Sequence, residues 1–469
     1  MNKTYFSNRG TPLSYLNFVK ILIFLLSGSI ILFASIHTAY GEWVPFASIT
    51  LEQLYDSNIF LDPDDFHRPE ANKSDFRTNI MPSVGLRYQT PIQTISAEYA
   101  LNYSVFVNNS DQNYLGHTGN FNFERQISEH LKWYLHDSLS VSEEPRTNSY
   151  DYITLNYGRR RNLTNNGVTG VEYYFGAQDF VKIRYSDSRL DYLKDYHVMN
   201  GSSSRFGSDD SVTYGPGLDI EYWINVQHGF VFTYDWERSD YKIRQSERRD
   251  HMDLGYNYRL SPHTSVRCDF ILDYVDSKDP LLFDYKIYQG TVGIAKEFNE
   301  KLSLDIYGGF YYRPSGDIPD TFDSSDNEGF SGGISVTYNQ ENWNVSVQGD
   351  AGARIEYGDY NNRGYTPYRS FSIDFNYLLT PRINYYVLLS YDYEKSPDFF
   401  METSQGEYRQ ETYDLSTGFK YKILPWLHST VEYEYSEESA SRVIHYGGTQ
   451  GGYKDHRGLI SLTADFERL

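Results

Sequence analysis

The chain has 469 residues and a single cysteine, Cys268. One thiol excludes an intramolecular disulfide framework. Long apolar runs are also missing after the first forty residues, which excludes a membrane-spanning helix there. Basic residues are in short supply: 42 Lys and Arg stand against 63 Asp and Glu, for a net charge of −21. That balance argues against nucleic acid and other polyanions as general partners. There is no Pro/Ser linker, no coiled-coil heptad and no break in composition where a second domain could begin. Enzyme signatures are lacking as well. The sequence has no G-x-S-x-G elbow, no H-E-x-x-H, no P-loop and no Cys/His cluster at metal-ligand spacing, and its 12 histidines are scattered. No catalytic residue, metal ligand or cofactor is expected, and the chain reads as a non-enzyme.

What the sequence does have is alternation. Phe371, Ile373, Phe375, Tyr377 and Leu379 alternate with Ser372, Asp374, Asn376 and Leu378. Tyr385, Val387, Leu389, Tyr391 and Tyr393 repeat the pattern against Asn384, Tyr386, Leu388, Ser390 and Asp392. Period-two alternation means strands with one apolar and one polar face. Here it runs along the chain from about Ala47, with 46 tyrosines as the dominant aromatic. A mean hydropathy of −0.59 is compatible with a membrane home, because a barrel gives only every second residue to lipid. Cys268 shares the parity of Val266, Phe270 and Leu272, so its thiol is expected on the lipid face.

Residues 1–41 read as a secretory signal peptide: basic Lys3, Arg9 and Lys20, an apolar run from Ile21 to Ala34, and small residues before Glu42. Its removal takes the net charge to about −24, since three basic residues and no acidic ones leave with it. Residues 42–469 then form one barrel.

Nine tight turns are expected, near Thr90-Pro91, Ile127-Ser128, Gly176-Ala177, Asn225-Val226, Ser261-Pro262, Asn299-Glu300, Gln340-Glu341, Thr380-Pro381 and Leu424-Pro425. Nine hairpins, with one strand before them (about Ala47–Ser57) and one after (about Gly458–Phe466), make 20 strands; one merged pair would make 18. The fold class is therefore all-β: a transmembrane, antiparallel, up-and-down β-barrel with short periplasmic turns and long extracellular loops. Those loops are expected at Asn58–Ser74, Glu143–Asp151, Asp191–Asp210, Pro314–Glu328, Pro397–Arg409 and Glu437–Gly452.

The opposite parity lists the residues expected to line the lumen: Glu98, Arg184, Asp235, Arg259, Arg267, Asp269, Asp305, Asp350, Arg354, Asp374, Asp392, Glu432 and Glu434. A barrel of this size is too wide for side chains alone to fill, so a hydrated conduit follows. For any single residue the simpler role is a wall charge paired across strands. Tyr307, Tyr311 and Tyr386 share this inward parity and could stack on sugar rings. Arg159-Arg160-Arg161 is the one basic cluster; it reads as balancing nearby acids, with lipopolysaccharide phosphates or an anionic sugar as the alternative. Asp62, Asp64 and Asp65, and the set Asp317, Asp320, Asp323, Asp326 and Glu328, read as solvated acidic loops, since neither has calcium-loop spacing.

The segment Leu51-Glu52-Gln53-Leu54-Tyr55-Asp56-Ser57-Asn58-Ile59-Phe60 resembles the opening of the β-barrel porin 2 family. Pro82–Tyr88 and Ala97–Tyr103 are similar to that family's second and third strands. The resemblance implies an outer-membrane barrel associated with exopolysaccharide or exosortase-type systems, and a role in moving secreted polysaccharide. It carries over no catalytic residue. The chain departs from the usual terminal aromatic by ending Phe466-Glu467-Arg468-Leu469.

The functional expectation is a porin-like channel in the cell outer membrane, a conduit for exopolysaccharide or another polar solute. The alternative is a structural or adhesive surface protein with an occluded lumen. Expected partners are outer-membrane lipid and lipopolysaccharide, the barrel assembly machinery, and polysaccharide with periplasmic export proteins.

Overall fold

The computed structural model describes residues 41–61, 72–143, 161–193, 210–242, 246–278, 284–314, 328–357, 362–401, 404–442 and 452–467. Residues 1–40, where a signal peptide is expected, Arg159 and Arg160, the Asp62–Asp65 loop, the interior of the Asp191–Asp210 loop and the acids from Asp317 to Asp326 lie outside them.

Twenty antiparallel strands follow in chain order, each paired with its sequence neighbours, and the sheet closes on itself because β1 (Glu42–Asp56) pairs with both β2 (Asp75–Thr90) and β20 (Lys454–Glu467). Closure leaves no sheet edge, so every strand has backbone partners on both sides, as a lipid environment requires. Apart from one short 3-10 turn at Ser110–Gln112, the described residues contain no helix.

All nine expected turns are present, and side-chain chemistry explains several. The Asn225 carboxamide oxygen accepts from the backbone N–H groups of Gln227 and His228 at 2.9 and 3.0 Å. Asn299 does the same for Lys301 and Leu302 at 2.8 and 2.9 Å. The Thr380 hydroxyl accepts from Arg382 and Ile383. These Asx- and ST-type bonds satisfy N–H groups that a sharp reversal would otherwise strand.

The apolar parity faces out. Val84, Ile183, Phe310 and Ile460 are all more than half exposed. Near the rim of tight turns, outward rings pack on one another, two pairs tilted and one stacked: Trp43 on Tyr88 (4.9 Å between centroids), Phe123 on Trp133 (4.8 Å) and Trp426 on Phe466 (6.0 Å). An aromatic girdle of this kind suits a membrane–water interface, where a ring can be half wet. Cys268 is exposed on this outer face.

The ends of several elements differ from expectation. The first strand starts at Glu42 rather than Ala47, and the last at Lys454 rather than Gly458. The segment Pro397–Arg409 is mostly strand: β17 runs Ile383–Met401 and β18 runs Ser404–Leu424. β19 (Leu427–Arg442) likewise extends into the expected Glu437–Gly452 loop. Polar composition reads as loop in a sequence, but a hairpin that continues beyond the membrane can be polar on both faces and still keep its ladder bonds.

Two segments at the long-loop rim turn inward. After β1, the Asp56 carboxylate accepts from the Asn58 N–H at 2.8 Å, and the Leu61 N–H donates to the Asn58 carbonyl at 2.9 Å. This turn places Ile59 and Phe60 against the inward rings Phe106 of β3 (Gln93–Phe106) and Tyr114 of β4 (Tyr114–Gln126), burying all four. The second segment is the hairpin of β15 (Trp343–Tyr357) and β16 (Asn362–Thr380). β14 (Glu328–Asn339) pairs with β15 only as far as Gly332 opposite Ala351, then the two strands part. Beyond that point Ala353 and Tyr365 are buried with Val275, Tyr285, Ile287 and Tyr311, which stand on the inner face of β11 (Thr264–Ser277), β12 (Tyr285–Glu297) and β13 (Leu302–Tyr312). The hairpin therefore leans into the mouth and covers an apolar patch that would otherwise face the wet lumen.

Candidate functional site: the lumen wall

In register the thirteen residues expected to line the lumen share one face of the sheet, opposite the exposed aliphatic and aromatic side chains. Many of their contacts span three strands, which is possible only inside the curve of the barrel. Arg184 on β7 (Phe180–Tyr192) binds Asp219 on β8 (Ser211–Trp223) and reaches past that strand to Asp235 on β9 (His228–Tyr241), at 2.5 Å. Gly217 of β8 lies between Arg184 and Asp235 in register, and a Cβ there would fall within 3 Å of the guanidinium. Tyr307 of β13 donates to Asp350 of β15 across Gly333 of β14 in the same way. Tyr368 of β16 gives Asp350 a second phenol bond, at 2.6 Å. Asp350 thus ties three strands just below the point where the hairpin bends in.

Arg267 approaches Asp305 at 3.2 Å and Asp269 at 3.7 Å. Arg354 pairs with Glu394. Arg259 of β10 (Glu247–Ser261) stacks on the inward Trp223 ring, 3.6 Å from its centroid, a cation–π contact. Glu98 faces Gly85 and Asn120 in register. Asp374 accepts from the Asn376 carboxamide at 2.6 Å, and Glu432 from Ser416 at 2.5 Å. Glu434 lies 3.8 Å from Arg457, which also holds Asp455 at 2.7 Å and Asp56 at 3.5 Å. Asp392 lines a cavity of about 410 Å³ with Asp350, Arg354, Tyr368 and Glu394 on one wall and His251 and Asp273 on the other.

The three inward tyrosines that could stack on sugar rings each have a partner within the fold. Tyr307 is bound to Asp350. Tyr311 is buried under the hairpin, 5.9 Å from Tyr365. Tyr386 lies over Gly418, with the Lys420 ammonium 5.0 Å from its ring. Apolar side chains on an inward parity must be covered, and here the fold covers Tyr311 with its own hairpin.

Sequence reasoning missed both inward segments. A signal was present: Val275, Tyr285, Ile287 and Tyr311 break the polar-in rule together, at the long-loop ends of three successive strands. Just before β20, burial pushes the Tyr453 phenol up to about 12. No group of His, Cys, Asp or Glu among the described residues could hold a metal ion.

No protein-family model matches the sequence, and a search of curated proteins finds no significant match. Solved structures do share the fold. The ferric enterobactin receptor PfeA of Pseudomonas aeruginosa is 8% identical with a TM-score of 0.52, covering 90% of this chain and 81% of its own. The siderophore receptor PirA of Pseudomonas aeruginosa is 10% identical with a TM-score of 0.50, over 90% and 80%. The outer membrane protein OpdK of the same organism is 9% identical with a TM-score of 0.44, over 90% and 99%. With the two receptors the chain shares its fold, a closed antiparallel β-barrel.

Proposed function

We propose that this protein is an outer-membrane channel that passes a polar cargo, with secreted polysaccharide as the cargo class. One observation carries the reading. A closed 20-stranded barrel presents an inner face of carboxylates, guanidinium groups, hydroxyls and carboxamides, set against an outer face of exposed aliphatic and aromatic side chains. Such a wall is soluble only if water fills the space inside, and a water-filled barrel open to both sides is a route. Its role is that of a conduit rather than a catalyst. The polysaccharide assignment rests on the resemblance of Leu51–Phe60 to the porin 2 opening and on the hydroxyl-rich inner wall.

The test is single-channel conductance of the purified, refolded protein in a planar bilayer, with oligosaccharides added to one side. Steady current that sugar partly blocks supports the reading. Absence of current in protein shown to be folded by heat-modifiable gel mobility refutes an open channel. A second reading has its own support. The inward β15–β16 hairpin and the Asn58–Leu61 turn narrow the mouth, which suits an occluded barrel whose surface loops bind an external partner.

A further inference from the structure

The inner wall is electrically lopsided in a way that bears on what can pass. Along β5 (Leu131–Ser142) to β13, bases and acids answer one another. Lys132 lies near Glu124 and Glu172, Lys182 near Glu172, Arg184 between Asp219 and Asp235, Arg249 on Asp273, and Arg267 between Asp269 and Asp305. Each of these bases is tied by at least one carboxylate, and Arg259 is held instead on the Trp223 ring, so the wall has little free charge for a passing anion.

The wall from β15 to β19 is different. In register, Asp350 faces Ser370, Ser370 faces Asp392, Ser390 faces Asp414, Ser416 faces Glu434, and Gly418 faces Glu432. Among the described residues Asp374, Asp392, Asp414 and Glu432 have no ion-pair partner. Hydroxyls take the place of bases: Ser436 donates to Asp414 at 2.6 Å and Ser416 to Glu432 at 2.5 Å. The bases nearby are already committed, Arg354 to Glu394 and Arg457 to three carboxylates. Lys420 sits over Tyr386, closer to the tight-turn rim.

We infer that the pore prefers cations over anions, and that Asp392, Asp414 and Glu432 of the β15–β19 wall set the preference. The inference deepens the channel reading and rests on it. Fixed charge of one sign along a confined, water-filled path raises the local concentration of counter-ions and excludes co-ions. Screening over about 8–10 Å at ordinary ionic strength leaves that field strong near the wall. The cargo class follows: a neutral or cationic glycan passes, whereas a polyanionic one meets the unpaired carboxylates of the β15–β19 wall.

The experiment is the reversal potential of the full refolded protein in a planar bilayer across a tenfold KCl gradient. Expected is a several-fold permeability of K⁺ over Cl⁻, falling toward one in the Asp392→Asn, Asp414→Asn, Glu432→Gln triple variant, with folding checked by heat-modifiable mobility. A conducting wild-type protein that is non-selective or favours Cl⁻ overturns the inference while leaving the channel reading intact. An unchanged ratio in the folded variant overturns the assignment to this wall. Folded protein that carries no current overturns the channel reading, and this inference with it.

Discussion

Tyr365 of the β15–β16 hairpin meets Tyr311 of β13 nearly edge-on, with 5.9 Å between centroids and 64° between planes. Tyr365 is fully buried, and the Arg313 guanidinium lies 4.2 Å from the centre of its ring. Edge-on aromatic pairs add to area burial because the positive ring edge meets the negative face. The pair pins a strand of one wall against the inner surface of the neighbouring wall.

Replacing Tyr365→Ala removes the pin. Truncating a buried aromatic costs about 3–5 kcal/mol, and here the loss falls on hairpin docking rather than on the closed barrel. Expected is a larger and noisier single-channel conductance with unchanged heat-modifiable mobility. An unaltered conductance would show that the hairpin does not narrow the path.

Gly333 is required for the Tyr307–Asp350 bond. A Cβ at this position would stand 2.7 Å from the Tyr307 ring and 2.9 Å from the Asp350 carboxylate. Gly333→Val should therefore displace the phenol and destabilise the barrel by roughly 1–3 kcal/mol, the usual range for overpacking. The midpoint of urea unfolding, followed by tryptophan fluorescence, measures it. Gly290, which has open space around its Cβ direction, is the control, and Gly290→Ala should leave the midpoint nearly unchanged.

Arg184 holds two carboxylates that are diagonal neighbours on β8 and β9. Arg184→Met leaves Asp219 and Asp235 unpaired on the wall. These side chains are about a fifth to a quarter exposed, so the cost should fall below the roughly 3–5 kcal/mol of a fully buried pair, on the order of 1–3 kcal/mol. Adding Asp219→Asn and Asp235→Asn should recover most of the lost midpoint. Failure of that rescue would mean that Arg184 acts through packing rather than charge.

Cys268 gives a readout of which face meets lipid. A membrane-soluble maleimide should label it, and a bilayer-embedded quencher should quench the attached fluorophore. An impermeant thiol reagent added to the aqueous phase should leave single-channel current unchanged. Block of the current by that reagent would place the thiol in the lumen and invert the facing of β11.

The regular part of this barrel is local, and local features are legible in a sequence. Alternation along Phe371–Leu379 or Tyr385–Tyr393 fixes which side chains share a face, because the strand period is two. Asn225, Asn299 and Thr380 mark turns through bonds to residues two and three positions on. Strand count, the exposed thiol and the shared parity of Glu98, Asp374 or Glu434 with their cross-strand neighbours all follow from such short-range rules. Loop boundaries did not, because a polar hairpin such as β17–β18 keeps its ladder beyond the membrane, where composition no longer alternates.

What the tertiary structure decided is long-range. No spacing relates Arg184 to Asp235, or Tyr307 to Asp350, until closure and curvature carry them past an intervening glycine. Nothing local tells that Tyr365 leaves its own wall to cover Tyr311, since that outcome depends on where β14 and β15 stop pairing. The sequence by itself determined the faces of the wall, because side-chain direction is a property of each strand. Only the closed barrel decided which charges are neutralised, which remain free and where the mouth narrows, because those depend on distances between strands far apart in the chain.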